Sequence, residues 1–184
     1  MKRVYISISD MVGRVYFPDI TFDNFADTEH SVRIIRNLTK GTTYFFGLYR
    51  QDGKLLISEV AKLRSEIPRH FRERGCFFDL TPDKIKQDTS DTRISAVGCL
   101  EVNEDTFAYL PYICNYFLET AFFCPLRPWN EFIKEYPPCD MGDPCVLLTN
   151  HYANMVFTYV DGGDFYVYFN KNIYNSHIID SILE

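Results

Sequence analysis

The chain has 184 residues and a formal net charge of −6; at this length roughly 70% of the unfolded surface is buried on folding, so neither a disulfide nor a metal is required. Residues 1–75 carry 13 Lys/Arg against 9 Asp/Glu and residues 76–184 carry 6 against 16, so the acidity is concentrated in the second part and counts against a generic nucleic-acid binder. Sixteen Phe, 13 Tyr and one Trp supply core, and Tyr and Trp also suit contact surfaces.

Lys2 to Ser9 alternates as a strand with Val4, Ile6 and Ile8 on one face, and Gly13 separates it from a partner strand at Arg14–Phe17. Asp27 or Thr28 caps a predicted helix that runs to about Leu38. Asp52-Gly53 lies between two β-rich runs and predicts a hairpin over about 42–60, because a type I′ turn needs positive φ at both central residues. A short basic helix is expected within 62–75 and another after Thr81-Pro82, with a return to strand at Arg93–Val102. The run over about 111–123 is apolar nearly all round and reads as a buried central helix. Val146–Thr149 reads as a short strand, and NMVFTYVDGGDFYVYFN, about 154–170, reads as a second hairpin through Gly162-Gly163. Residues IYNSHIIDSILE form a predicted terminal helix. Antiparallel hairpins with helices and no regular βαβ alternation specify an α+β fold, expected as one domain over 1–184 with peripheral helices around the central one.

The N-terminal segment alternates apolar and polar residues, and Phe107–Leu118 is too short and polar to cross a bilayer, so the expected location is the cytoplasm, with reduced thiols and no membrane contact. Cys139 and Cys145 are separated by five residues and have no second Cys/His pair, which does not make a zinc knuckle; no metal or cofactor is expected. Asp161 and Asp164 would face each other across a two-residue hairpin, a repulsion that solvent or a longer loop would relieve. The basic stretch Lys62, Arg64, Arg69, Arg72 and Arg74 is diluted by Glu66 and Glu73, and is expected to pair with the acidic half of its own chain rather than with nucleic acid.

Residues 101–164 hold ten acids against Arg127 and Lys134, interleaved with tyrosines and Trp129. A surface of this kind suits a basic protein, with charge speeding the encounter and aromatics holding the complex. The candidate contact residues are Trp129, Glu131, Glu135, Tyr136, Asp140 and Asp143. In size, charge and absence of a catalytic motif across the whole chain, the sequence resembles the immunity proteins of bacterial contact-dependent and other polymorphic toxin systems. That resemblance implies an inhibitory binding protein whose partner is a basic toxin domain, often a nuclease, and implies no particular fold or contact residue. The alternative is a papain-like thiol hydrolase or acyltransferase using a cysteine with His151 and Asn170, whose order along the chain fits a base and its orienting group. A nucleic-acid mimic shares the charge argument and would space its acids like phosphates.

Overall fold

In a computed structural model, the described residues are 2–19, 37, 41–50, 62, 65–66, 69, 78–79, 86–87, 93–102, 119–135, 143–160 and 164–184. The predicted alternation at the N-terminus produces β1 (Val4–Ser7) and β2 (Val12–Tyr16), an antiparallel pair in which Val4 faces Tyr16 and Ser7 faces Gly13. The tight link between them is tied by Ser9, whose hydroxyl accepts the N–H of Val12 at 3.1 Å. β2 continues onto β9 (Asp164–Asn170), which pairs with β8 (Ala153–Val160), so the expected 154–170 hairpin is present. Its register places Val160 opposite Asp164, which leaves three residues in the connection. Asp164 therefore faces Val160 and not Asp161, so the connection is the longer one that relieves the repulsion between the two aspartates.

β8 pairs in turn with β7 (Glu119–Pro125), and this is the largest correction to the sequence reading. Residues 119–123, expected as the end of a central helix over 111–123, are a strand; 111–118 lie outside the described residues. The physical reason is burial on both faces. Thr120 and Phe122 point to one side of the sheet, Ala121 and Phe123 to the other, and all four are buried. A strand covered on both sides loses its polar alternation and cannot be told from a buried helix by pattern alone.

Beyond β7 lie β3 (Gly41–Arg50) and β6 (Arg93–Val102), with the short β4 (Phe78–Asp79) and β5 (Lys86–Gln87) both on β6. Among the described residues the result is a nine-stranded antiparallel sheet in the order β1-β2-β9-β8-β7-β3-β6-β4, with β5 beside β6. Along Tyr44–Leu48 both edges of β3 are occupied, by β6 and β7. The turn at Asp52-Gly53 and the return strand expected over 54–60 lie outside the described residues.

Three helices are described in full: α1 (Trp129–Glu135), α2 (Pro144–Thr149) and α3 (Ser176–Leu183). α2 replaces the strand expected at 146–149. Asp143 accepts the N–H of Cys145 at 2.8 Å and Pro144 sits in the first turn, a start signal strong enough to set a helix on β-prone Val146 and Thr149. The expected terminal helix is α3, capped by Asn175 accepting from the N–H of Ile178 and burying Ile179 and Leu183. Ser65, Glu66 and Arg69 are helical as expected, Lys62 is helical as well, and Glu66 lies next to both Lys62 and Arg69. Asn37 is also helical, and its amide donates to the carbonyl of Ile182 at 3.0 Å. The helix expected after Thr81-Pro82 falls outside the described residues.

Pairing and alternation divide the buried side chains between the two faces of the sheet. On one face Tyr44, Ala121, Phe123 and Val156 pack with Phe132 of α1 and Leu147 and Leu148 of α2. On the other, Phe17, Phe165, Phe157 and Phe122 form a row of rings with successive centroids 4.9, 4.3 and 5.9 Å apart. α3 lies on this second side, where Arg3 and Tyr5 reach Asp180.

Candidate functional site

The sequence places its contact residues on α1, on the approach to α2 and between them. Pro128 begins α1 by accepting the N–H groups of Glu131 (3.1 Å) and Phe132 (2.9 Å). Seven residues make under two turns and hold no stable helix in water, so tertiary contacts must fix the element. They do so through aromatic packing. Phe132 inserts among Tyr44, Phe123 and Tyr152, with centroids at 4.9, 5.6 and 5.3 Å. Trp129 stacks on Phe132 at 5.9 Å and meets Tyr44 edge-on at 5.0 Å. Its ring is half-buried and belongs largely to this cluster.

Two tyrosine hydroxyls tie the backbone at either end of the segment. Tyr44 donates to the carbonyl of Arg127 at 2.6 Å, and Tyr152 donates to that of Glu135 at 3.3 Å. Burial, then the charges of Cys99 and Glu131, push the Tyr44 hydroxyl up to about 12. It stays protonated, and the donated bond holds, across the neutral range.

With Trp129 and Phe132 turned inward, Glu131, Lys134 and Glu135 are left exposed. Glu131 and Glu135 stand one turn apart on the same side of the helix. Glu135 forms an ion pair with Arg127, whose guanidinium also lies 5.6 Å from the centre of the Tyr152 ring. Arg127 and Lys134 thus offset part of the acidity that the sequence assigns to this region. Tyr136 and Asp140 lie outside the described residues.

Asp143 is exposed, and its carboxylate is engaged as the cap of α2. Cap and charge can be separated. Asp143→Ala is expected to cost about 1 kcal/mol through loss of the cap, while Asp143→Asn keeps an acceptor and costs a few tenths. Urea unfolding of both variants checks this, and equal losses would show that the cap is not what Asp143 contributes. A partner that reads the charge should lose affinity with both.

The groups considered for thiol chemistry are spread over separate elements. His151 follows α2 with φ of 56°, in the left-handed region, and is exposed. Asn170 is buried at the end of β9, and its side-chain oxygen accepts the N–H of Asn172 at 2.9 Å. Burial pushes the Cys124 thiol up; burial and then neighbouring Asp143 do the same to Cys145. Both shifts oppose thiolate formation. Among the described residues, no three His, Cys, Asp or Glu side chains converge to hold a metal ion, and Cys139 lies outside them.

A concavity of about 420 Å³, which the sequence reading did not anticipate, opens at the other end of the sheet between Tyr5 and Ser7 of β1, the end of β9, and Tyr174 and Ser176 at the start of α3. The ammonium of Lys171 is held at its rim by the Ser7 hydroxyl (3.0 Å) and the Ser9 carbonyl (2.9 Å). Phe169 forms its floor against Gly13, where a Cβ would come within 2.3 Å of the ring. Gly13, expected to separate the two strands, instead lies inside β2, and a glycine within a strand marks such a close approach.

Among the described residues no helix is long and apolar enough to cross a membrane. Comparison with protein-family models, with curated proteins and with solved structures finds no match.

Proposed function

We propose that this chain is an inhibitory binding protein of the toxin-immunity type, and that it docks a basic protein domain, such as a nuclease toxin, through the outward side of α1. The observation carrying this reading is the division of α1: Trp129 and Phe132 are locked into a ring cluster while Glu131 and Glu135 stand outside it. A helix held in this way presents its carboxylates on a backbone with little freedom left to lose on binding. The Arg127 contact orients Glu135 and leaves Glu131 as the leading charge. Asp143, at the start of α2, is assigned to the same docking edge, and Tyr136 and Asp140 join it only by their place in the sequence between the two helices. Trp129 supports the helix from beneath and offers its exposed rim to the partner.

In this arrangement the rim charges govern encounter and the desolvated contacts govern residence. Reversing Glu131, Glu135, Asp140 and Asp143 together to lysine is expected to slow association with a cationic toxin domain by about tenfold or more and to flatten its salt dependence. Stopped-flow mixing with a panel of inactivated basic nuclease domains, at two salt concentrations, measures both. Association that is independent of salt and unaffected by the four reversals would remove residues 129–143 as the docking edge.

A further inference from the structure

We propose that two copies of this chain pair through the outer edge of β1, antiparallel and centred on Ile6, extending the sheet across a two-fold axis. β1 is the first strand in the sheet order and, among the described residues, pairs only with β2. Natural edge strands are guarded by lysine, proline, bulges or cover. Here the edge carries Val4, Tyr5 and Ile8 at 37, 39 and 41% exposure, and Ile6 half-buried. Arg3 gives no guard, because its guanidinium turns back to Asp180 (2.7 Å) and the Leu183 carbonyl (3.2 Å).

The hydrogen-bond phase of β1 restricts how a second copy can add. The N–H of Ile8 donates to Val12 at 3.0 Å, so by antiparallel alternation Val4, Ile6 and Ile8 direct their main-chain groups toward β2. Arg3, Tyr5 and Ser7 direct theirs outward. A symmetric ladder forms only if these outward residues face one another.

Three short registers meet that condition. Centring on Tyr5 sets Lys2 against Ile8, and centring on Ser7 sets Val4 against Asp10; each opposes a charge to an apolar side chain. Centring on Ile6 pairs Tyr5 with Ser7, matches exposed Val4 with exposed Ile8 on one face, and brings Lys2 toward Asp10 of the other copy. Cross-strand apolar pairs and opposite charges both favour this last register. The surroundings do not oppose it, since Lys2, Arg3 and Lys171 are matched near this edge by Asp10, Asp19 and Asp180 despite the chain's net charge of −6. Each copy uses the same surface, as a closed two-fold dimer requires. The contact is small, so association is expected in the micromolar range.

Sedimentation velocity over about 1 to 200 μM brackets that affinity. The native chain is expected to pass from monomer to dimer. Val4→Lys with Ile8→Lys, at two exposed positions, should retain the native melting profile and weaken dimerisation at least tenfold by setting like charges opposite each other. Ile6→Cys tests the register separately. A non-hydrogen-bonded pair with Cα atoms about 4.5 Å apart admits a disulfide, so this variant should form a covalent dimer on mild oxidation. Val4→Cys alone and the native chain should not. A native chain that stays monomeric throughout, a dimer indifferent to the two lysines, or equal cross-linking at positions 4 and 6 would overturn the proposal.

Discussion

Replacing Phe132 with alanine is expected to destabilise the protein by about 3–5 kcal/mol, the range for emptying a packed aromatic site. Phe132 is 1% exposed and touches the rings of Tyr44, Phe123, Trp129 and Tyr152. Its loss opens a space that a helix of under two turns cannot fill by shifting, because Tyr44 and Tyr152 hold the backbone at Arg127 and Glu135. Trp129→Ala should cost less, since its half-buried ring already meets solvent on one side. Urea unfolding should show a lower midpoint at unchanged slope, with Phe132→Ala the larger shift. The same variant separates scaffold from contact. If α1 is the docking edge, loosening it lowers the fraction of molecules competent to bind, and apparent affinity falls with that fraction. An unchanged midpoint would mean that the ring cluster does not hold α1.

The elements that could be read from the sequence are those whose signal is local. The 154–170 hairpin shows in two β-rich runs, NMVFTYV and DFYVYFN, on either side of Gly162-Gly163, and the terminal helix declares itself by Asn175 followed by Ile179 and Leu183 one turn apart. β7 was unreadable because Thr120 to Phe123 are buried on both faces, so the pattern carries no period. For α2, the information lay in two residues outside the apolar run, Asp143 and Pro144, while Val146 and Thr149 pointed to a strand. The candidate edge was partly legible. Exposure of Glu131 and Glu135 follows from their charge, but the capture of Glu135 by Arg127 and the use of Asp143 as a cap depend on local geometry. Packing of Trp129 against Tyr44 joins positions far apart in the chain, and no pattern within either segment announces it. The β1 edge shows the same limit. Alternation identified a strand, and only the sheet order reveals that Val4 and Ile8 face outward rather than into a core.

On the opposite side of the sheet, Phe165→Ala is expected to cost a similar 3–5 kcal/mol. Phe165 is fully buried, with Phe157 and Phe17 at 4.3 and 4.9 Å, and its carbonyl accepts the N–H of Phe17 at 3.4 Å. Removing the ring breaks the row from Phe17 to Phe122 at its second member, so cavity and lost ring contacts add to the transfer cost. β7, β8 and β9 form a continuous hydrogen-bonded layer between this row and the Phe132 cluster, so the two sites lie on opposite faces of the sheet. Their effects should therefore add within about 0.5 kcal/mol. A double alanine variant would lose stability comparable with that of a whole small domain, so the cycle is better run with leucine at both positions. Coupling well above 0.5 kcal/mol in that cycle would show that strain crosses the sheet. In that case α1 and its acidic edge would be sensitive to changes on the α3 side, and the binding and dimer surfaces could not be treated as independent.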